Sequence, residues 1–589
     1  MALNYSLHYI SRTWSLAVPA LALLLVLAVA CGSAAAPETP TASPQPTAAP
    51  GTGATPTTGT TPTASPQETT TPGEVQVHPG RVNIMVGDFA SERFDIVFSR
   101  GLAGDLNYGR ILHAFLVSDN EKREEVPGIA SAWSLSPDGL AWTFTIREGV
   151  KWHDGTELVP EDVVWTFQHL FGPQATEYAV APTALRVSRQ LDTIDLNGRD
   201  VILRTTTPAT ELGNTLSEAG TGWYHVMPAR PQLYNEAEAV AYDNNPIGAG
   251  PMKLVDHVRA SSMSFERFDD YYYQPQNGFP IDKRVSFQDL TLHLVPEEST
   301  RVAALRSGEA DIVPISLNTK SQVEAGGGRV IFGKEGAFVW VPFVWCWSDE
   351  SLPCNKKEFR QALHYAINKE VIRDQLYGGP EVFEVKGWSA VTPSTIGYTP
   401  QLDPFPYDPD KARQLLADAG YPGGEGVGKV IVNTWQSTSV PFQTEAAQLA
   451  AEFWRRDLGL DVEVRVGDST AIRGNWAAGQ LNGQIVWRDN ETRRDAASTL
   501  LTGYADPESG TRRSEDPELR RRSLEVAQIV DEEQRAQALT EFYPVLREEA
   551  YEIGIGYVNI PWGVGQRVAA WEPYPLAPNP SALHTIRLK

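Results

Sequence analysis

The chain has 589 residues, enough for several domains. Its formal net charge of −23 argues against a nucleic-acid binder, which needs a basic stripe. The same charge argues against a protein held on anionic lipid by electrostatics.

Leu16 to Ala30 is an apolar run without charge, preceded by Arg12. It has the length of a signal-peptide core and is short for a membrane span. The run ends LAVA before Cys31, Gly32 and Ser33. Small residues before a cysteine at this place resemble a bacterial lipoprotein cleavage site, which implies two acyl chains on Cys31 and stable anchoring. From Ser33 to about Gly73 the chain is almost entirely Thr, Pro, Ala, Ser and Gly. Such a composition buries no core, so a disordered tether is expected. Residues 1–30 are thus read as a signal peptide and 31–80 as a tether.

Folded sequence is expected from about Arg81. VNIMVG (82–87) is a strand run. Asp138-Gly139 marks a turn. Trp142, Phe144 and Ile146 then alternate with Thr143, Thr145 and Arg147, the pattern of a strand with one buried face. His153-Asp154-Gly155 reads as a turn. Pro160 suits the first position of a helix, and Glu161 and Asp162 suit its positive end. Val163, Val164, Phe167, Leu170 and Phe171 give that helix its apolar stripe. Asn197-Gly198 predicts a hairpin joining 193–196 to 201–204. Asn245 to Leu254, NPIGAGPMKL, places turn residues ahead of a strand.

Phe287 to Val295 is a strand. Ser299 or Thr300 is expected to cap a helix that Gly308 closes. A further strand covers Asp311 to Ile315. Phe338 to Trp347, FVWVPFVWCW, reads as a strand with Phe343, Trp345 and Trp347 on one face and Trp340 opposite. Asn355 is expected to cap a helix, with Glu358 completing a capping box and Gly378 ending it. Asp408 and Pro409 open a helix that Gly420 terminates. Strand 429–435, helix 444–458 and strand 460–466 form a β-α-β unit with a right-handed crossover. A helix over 541–549 and a strand over 553–558 follow. Cys346 and Cys354 could close a small loop in an oxidising compartment, and bonded and free forms both stay open on sequence grounds.

Several segments share one resemblance. Arg147, Gly149 to Gly155, Asp162, Val163 and Phe167 stand where the extracytoplasmic solute-binding proteins of peptide-type ABC importers carry their signature (the oligopeptide, dipeptide and nickel-binding family). NPIGAGPMKL, ALRSGEADIVP, FRQALHYAINKEVI, DPDKARQLLADAG and RVAAWEPYP are similar to further elements of that family, with Met252 and Ala570 departing from it. The resemblance runs from about Ile84 to Pro575. It implies an α/β, two-lobed periplasmic-binding-protein-like fold with an extra domain on the first lobe. The expected first lobe is 81–320, with the extra domain at roughly 120–245. The second lobe is 321–555, and 556–589 returns to the first.

No His-Glu-x-x-His, Gly-x-Ser-x-Gly or Ser-x-x-Lys pattern stands in a supporting context, so an enzyme is not expected. No metal or cofactor is expected either, since the cysteines lack metal spacing. His153 is read as a turn residue. The resemblance implies capture of a solute by hinge closure and delivery to membrane permease subunits of an ABC importer. The expected molecule is an exported monomer, lipid-anchored at the outer face of the cell membrane, with no nucleic acid partner. Its ligand is expected to be a peptide first, with an oligosaccharide or another small solute as the alternative; a lipid-anchored extracytoplasmic enzyme and a sensory binding protein are the rivals. Candidate ligand contacts are Tyr108 on the early helix and Trp345, Trp388, Trp435 and Trp487 in the second-lobe region. Asp489 joins them, because relatives pair an Asp of a similar segment with a peptide amine. The neighbouring Arg488, Arg493 and Arg494 are unusual company for a cation site.

Overall fold

The computed structural model describes residues 77–89, 92–95, 105–173, 182–220, 225–229, 236–437, 440–577 and 579–589. Cys31, the expected signal peptide and nearly all of the expected tether lie outside these residues.

Chain order gives β1 (His78–Val86), β2 (Val117–Asp119), β3 (Glu125–Pro127), β4 (Ala130–Leu135), β5 (Ala141–Ile146), β6 (Leu191–Asn197) and β7 (Asp200–Thr205). β8 (Met252–Val258), β9 (Ser262–Arg267), β10 (Phe287–Leu294), β11 (Ile312–Pro314) and β12 (Arg329–Pro342) follow. After them come β13 (Phe383–Glu384), β14 (Lys429–Thr434), β15 (Asp461–Val466), β16 (Ile485–Val486), β17 (Arg488–Glu491) and β18 (Glu552–Val564). β1 starts at His78, slightly ahead of the expected Arg81, because its first residue already bonds Ser286 beside β10.

A nine-stranded mixed sheet runs β17-β12-β18-β11-β1-β10-β9-β8, with β13 also on β18. β12 and β18 are its long strands and pair antiparallel from Arg329–Val564 to Pro342–Glu552. Every residue of β18 is buried. A separate four-stranded sheet, β4-β5-β7-β6, holds the Trp142 strand. Its inward residues Phe144, Ile146, Val201 and Leu203 pack on Val163, Phe167 and Leu170 of the helix Pro160–Phe171. This is the amphipathic strand-plus-helix unit that the alternation and the helical stripe require. β14, β15 and β16 form a parallel sheet, with the helix Gln443–Leu458 as the crossover between β14 and β15.

The signature turn proves to be scaffold. His153 Nδ1 accepts from the Gly248 N–H at 3.3 Å, and Nε2 meets the Gly250 carbonyl at 3.1 Å. That pairing fixes the neutral tautomer with its proton on Nε2. Burial pulls the His153 pKa down to about 4. Asp162 accepts from the Trp152 indole at 3.2 Å and from the Val159 and Ala229 N–H groups. The glycines of NPIGAGPMKL serve close approach, since a Cβ on Gly248 would stand 1.8 Å from the Leu112 carbonyl oxygen.

Four local expectations need correction. β12 ends at Pro342, so Trp345 and Trp347 are not strand residues: Trp345 is left-handed at φ 44° and opens a short turn, Cys346–Ser348. The helix expected from Asn355 begins at Lys357 without a side-chain cap, because Asn355 belongs to the preceding turn Pro353–Asn355. That helix stops at Tyr365, and Asn368 caps a new one by accepting from the Val371 N–H. The helix closed by Gly308 starts at Glu298, before either expected cap. Gly308 and Gly378 end their segments in the left-handed region, as their sequence positions suggest.

Candidate functional site

The sequence-derived residues separate into different layers. Tyr108 is fully buried; its hydroxyl accepts from the Arg93 N–H at 3.1 Å, and its ring meets Phe94 edge-on. Trp388 is buried against Leu402, Leu539 and Tyr543, and its indole meets the Glu552 carbonyl at 3.4 Å. These two are packing residues in the conformation described.

The remaining candidates gather around β17, the terminal strand of the nine-stranded sheet. β17 pairs antiparallel with β12, setting Arg488 opposite Trp340 and Asp489 opposite Val339. Strand geometry sends successive side chains to opposite faces. Arg488 therefore shares a face with Trp340, and Asp489 shares the other with Val339. Trp487, alternating the same way, is fully buried in the core with Val339.

On the Arg488 face lies an aromatic layer of Phe338, Trp340, Trp435, Trp476 and Tyr557, with Trp345 against it. Arginines converge on these rings. The Arg473 guanidinium is 5.1 Å from the Trp435 centroid. Arg488 is 5.8 Å from the same ring and 5.3 Å from Trp340. Arg513 is 4.7 Å from Trp340. Glu552 meets Arg513 at 3.0 Å, with both side chains buried. Burial raises the Glu552 pKa, and Arg513 and Arg488 oppose that rise. Among the described residues Arg473 makes no hydrogen bond or ion pair, and its Nε is buried.

Trp345 stacks on Trp347 with centroids 5.4 Å apart, and Arg512 lies 4.6 Å over Trp347. The Trp345 indole donates to the Gly510 carbonyl at 3.3 Å. Between the two tryptophans sits Cys346, bonded to Cys354. The disulfide thus closes the turn that presents both indoles.

On the opposite face, Asp489 Oδ1 is buried without a hydrogen-bond partner among the described residues, and so is the Tyr377 hydroxyl. Burial raises the Tyr377 pKa, and the charges of Glu445 and Asp489 add to the rise. Buried polar atoms left unpaired carry a desolvation penalty that a bound ligand relieves.

Beside the aromatic layer, Tyr557 also lines a cavity of about 370 Å³ with Glu335, Glu384 and Asn559. Arg494 is committed elsewhere, to Glu532 at 2.8 Å, and Arg493 bonds Ser498. Sequence reading missed Arg473, Arg513, Glu552 and Tyr377. Each carries no more local signal than a charge or phenol, and they come from a helix, a loop, a strand end and a helical turn that only tertiary packing brings near the sheet. Among the described residues no cluster of His, Cys, Asp and Glu could hold a metal, and no helix is long and apolar enough to cross a membrane.

The family model "Bacterial extracellular solute-binding proteins, family 5 Middle" matches residues 124–510. Heme-binding protein A of Haemophilus influenzae is 27% identical over 317 residues, covering 51% of this chain and 54% of the relative. The dipeptide-binding protein of Escherichia coli is 27% identical over 319 residues, covering 51% of this chain and 56% of the relative. The chain thus spans about half the length of these relatives. A solved dipeptide-binding protein from Pseudoalteromonas, in complex with Met-Leu, superposes with a TM-score of 0.69 at 18% identity. That match covers 87% of this chain and 100% of the other, and shows the two-lobed periplasmic-binding-protein fold. With most of the signature region matched, the chain belongs to the bacterial extracellular solute-binding proteins of family 5.

Proposed function

We propose that this protein captures an extracellular peptide and delivers it to an ABC import permease, without catalysing a reaction. The observation that carries the reading is Asp489 Oδ1, buried on a terminal strand without a partner among the described residues. An ammonium group satisfies it by a charge-assisted hydrogen bond. The outer edge of β17 suits the backbone of an extended peptide. Relatives named for dipeptide binding support the same choice.

In this reading Trp345 and Trp435 line the ligand's path, while Trp487, Trp388 and Tyr108 support it from within. In the same reading the lobes meet near residues 320 and 555, and bending there closes the cleft over the ligand. Cys31 carries the lipid that tethers the monomer to the outer face of the membrane. Labelled palmitate retained by a Cys31→Ala variant would overturn that anchor.

Calorimetric titration of the full chain with peptide pools tests the reading. Free peptides should bind, and N-acetylated ones should bind at least tenfold more weakly. Binding of xylo- or cello-oligosaccharides with no response to any peptide pool overturns it. Small-angle scattering should show compaction at saturation.

A further inference from the structure

Two hydrogen bonds join the domain of the four-stranded sheet to residues 506–527, each across 317 positions of sequence. Arg189, in the last turn of the helix Pro182–Gln190, donates from Nη2 to Asp506 Oδ2 at 2.6 Å. Its Nε lies 3.4 Å from a Glu508 carboxylate oxygen. Thr210 donates its hydroxyl to the Ala527 carbonyl, and both residues are buried. Ala527 is the last residue of the helix Pro517–Ala527, where carbonyls have no partner within the helix.

Each side of this contact is braced from within. Arg186, one turn before Arg189, forms a buried ion pair with Glu211, which ties the helix to the loop that carries Thr210. The Trp142 indole holds the same loop by donating to the Ala209 carbonyl at 2.8 Å. On the other side the Asp506 N–H donates to the Leu501 carbonyl at 2.7 Å. Leu501, Ala505 and Ala527 share one apolar cluster with Leu524, so Asp506 and the end of the helix Pro517–Ala527 are fixed to each other. Surfaces ordered in advance lose little entropy when they meet.

An ion pair in open solvent contributes little. Here the Asp506 side chain is only 11% exposed, against 36% for Arg189, and the Thr210 bond beside it is buried. Residues 182–211 and 501–527 lie in the parts read as extra domain and second lobe, so these bonds exist only while the two parts are together. None of the four residues is a candidate ligand contact. In a protein that binds by closing, apparent affinity scales with the fraction of molecules in the closed form.

We propose that Arg189 and Thr210 latch the extra domain to the second lobe at Asp506 and Ala527, and so help set how tightly the closed protein holds its ligand. The latch rests on the hinge-closure reading above and deepens it with a closing contact that is blind to ligand chemistry.

Charge reversal in the full chain tests the latch, read by small-angle scattering without ligand and by calorimetry with the free-peptide pools. Arg189→Glu should enlarge the ligand-free radius of gyration and weaken peptide binding about fivefold. Adding Asp506→Arg to Arg189→Glu should restore both. Thr210→Val should act in the same direction as Arg189→Glu. Raising salt from about 0.05 to 0.5 M should weaken binding by wild type more than by Arg189→Glu. If Arg189→Glu lowers the melting temperature, Arg189→Gln and Thr210→Val supply the readout. Wild-type dimensions together with wild-type affinity in the Arg189 variant, or a loss that Asp506→Arg does not restore, overturn the latch while the peptide reading stands. If no pool binds wild type, the peptide reading falls, and ligand-free scattering alone decides the latch: unchanged dimensions in the Arg189 variant overturn it.

Discussion

The guanidinium of Arg473 lies 5.1 Å from the centre of the Trp435 ring, joining a helix to the loop that follows β14. Trp435 also faces Arg488. Trp435→Leu keeps an apolar filler but removes the platform for both cations. Each lost contact is worth about 0.5–2 kcal/mol. Because Trp435 lines the proposed ligand path, affinity for free peptides should fall severalfold by calorimetry.

Asp489 and Tyr377 offer buried atoms without partners among the described residues. A hydrogen bond to a charged group contributes about 1.5–3 kcal/mol. Asp489→Asn should therefore weaken free peptides by about tenfold or more and barely affect N-acetylated ones. Tyr377→Phe should act in the same direction with a smaller effect. Equal losses for free and acetylated peptides would place the amine elsewhere.

Gly248 stands against the Leu112 carbonyl, where an added Cβ would lie only 1.8 Å away. The clash is with backbone, so a rotamer change cannot relieve it. Gly248→Ala should destabilise by several kcal/mol, about 3 or more by comparison with overpacked sites. Thermal melting followed by circular dichroism measures this, and the same substitution at exposed Gly149, which meets no atom within 4 Å, compares the effect of a positive φ alone.

Histidines set an acid limit. Burial lowers the pKa of His153 to about 4 and those of His225 and His584 to about 3. His113, stacked on His225 at 3.6 Å, and His364 are also held well below the ordinary value. In the unfolded chain each regains a pKa near 6.5. Below that value the unfolded state binds protons that the folded state refuses. The stability contributed by neutral histidine is thus complete above about pH 6.5 and is lost as pH falls toward the folded pKa, by at most about 1.4 kcal/mol per group per pH unit. The melting temperature should drop between pH 7 and pH 4, and His225→Phe should flatten that drop.

The Cys346–Cys354 bond spans eight positions. Loop-closure entropy for so short a ring gives about 2.5 kcal/mol. Cys346→Ser with Cys354→Ser should lower the denaturant midpoint accordingly. Because the bonded turn presents Trp345 and Trp347, the tryptophan emission spectrum should also change.

Where structure depends on neighbours in sequence, residues near each other already settled it. The Trp142 strand, the Pro160 helix, the Asn197-Gly198 hairpin and the β14–helix–β15 unit stand where alternation, caps and turn residues put them. Phe338–Trp347 failed because a run of aromatics reads as a strand, whereas Trp345 adopts φ 44° and the disulfide closes a turn there. The helix after Asn355 failed for a related reason: a continuous apolar stripe does not report the break at 366–368.

Sequence by itself determined the family, the fold and the scaffold role of the His153 turn, because those rest on local periodicity and on long motifs. Tertiary structure alone decided which side chains meet. Trp487, Arg488 and Asp489 are consecutive, yet strand alternation buries the first, turns the second to Trp340 and Trp435, and sets the third on the opposite face with Val339. Arg473 and Arg513 reach the same rings as Arg488 from distant points in the chain, and only the packing of the helix Ser469–Ala477 and the 510–513 loop against the sheet brings them there.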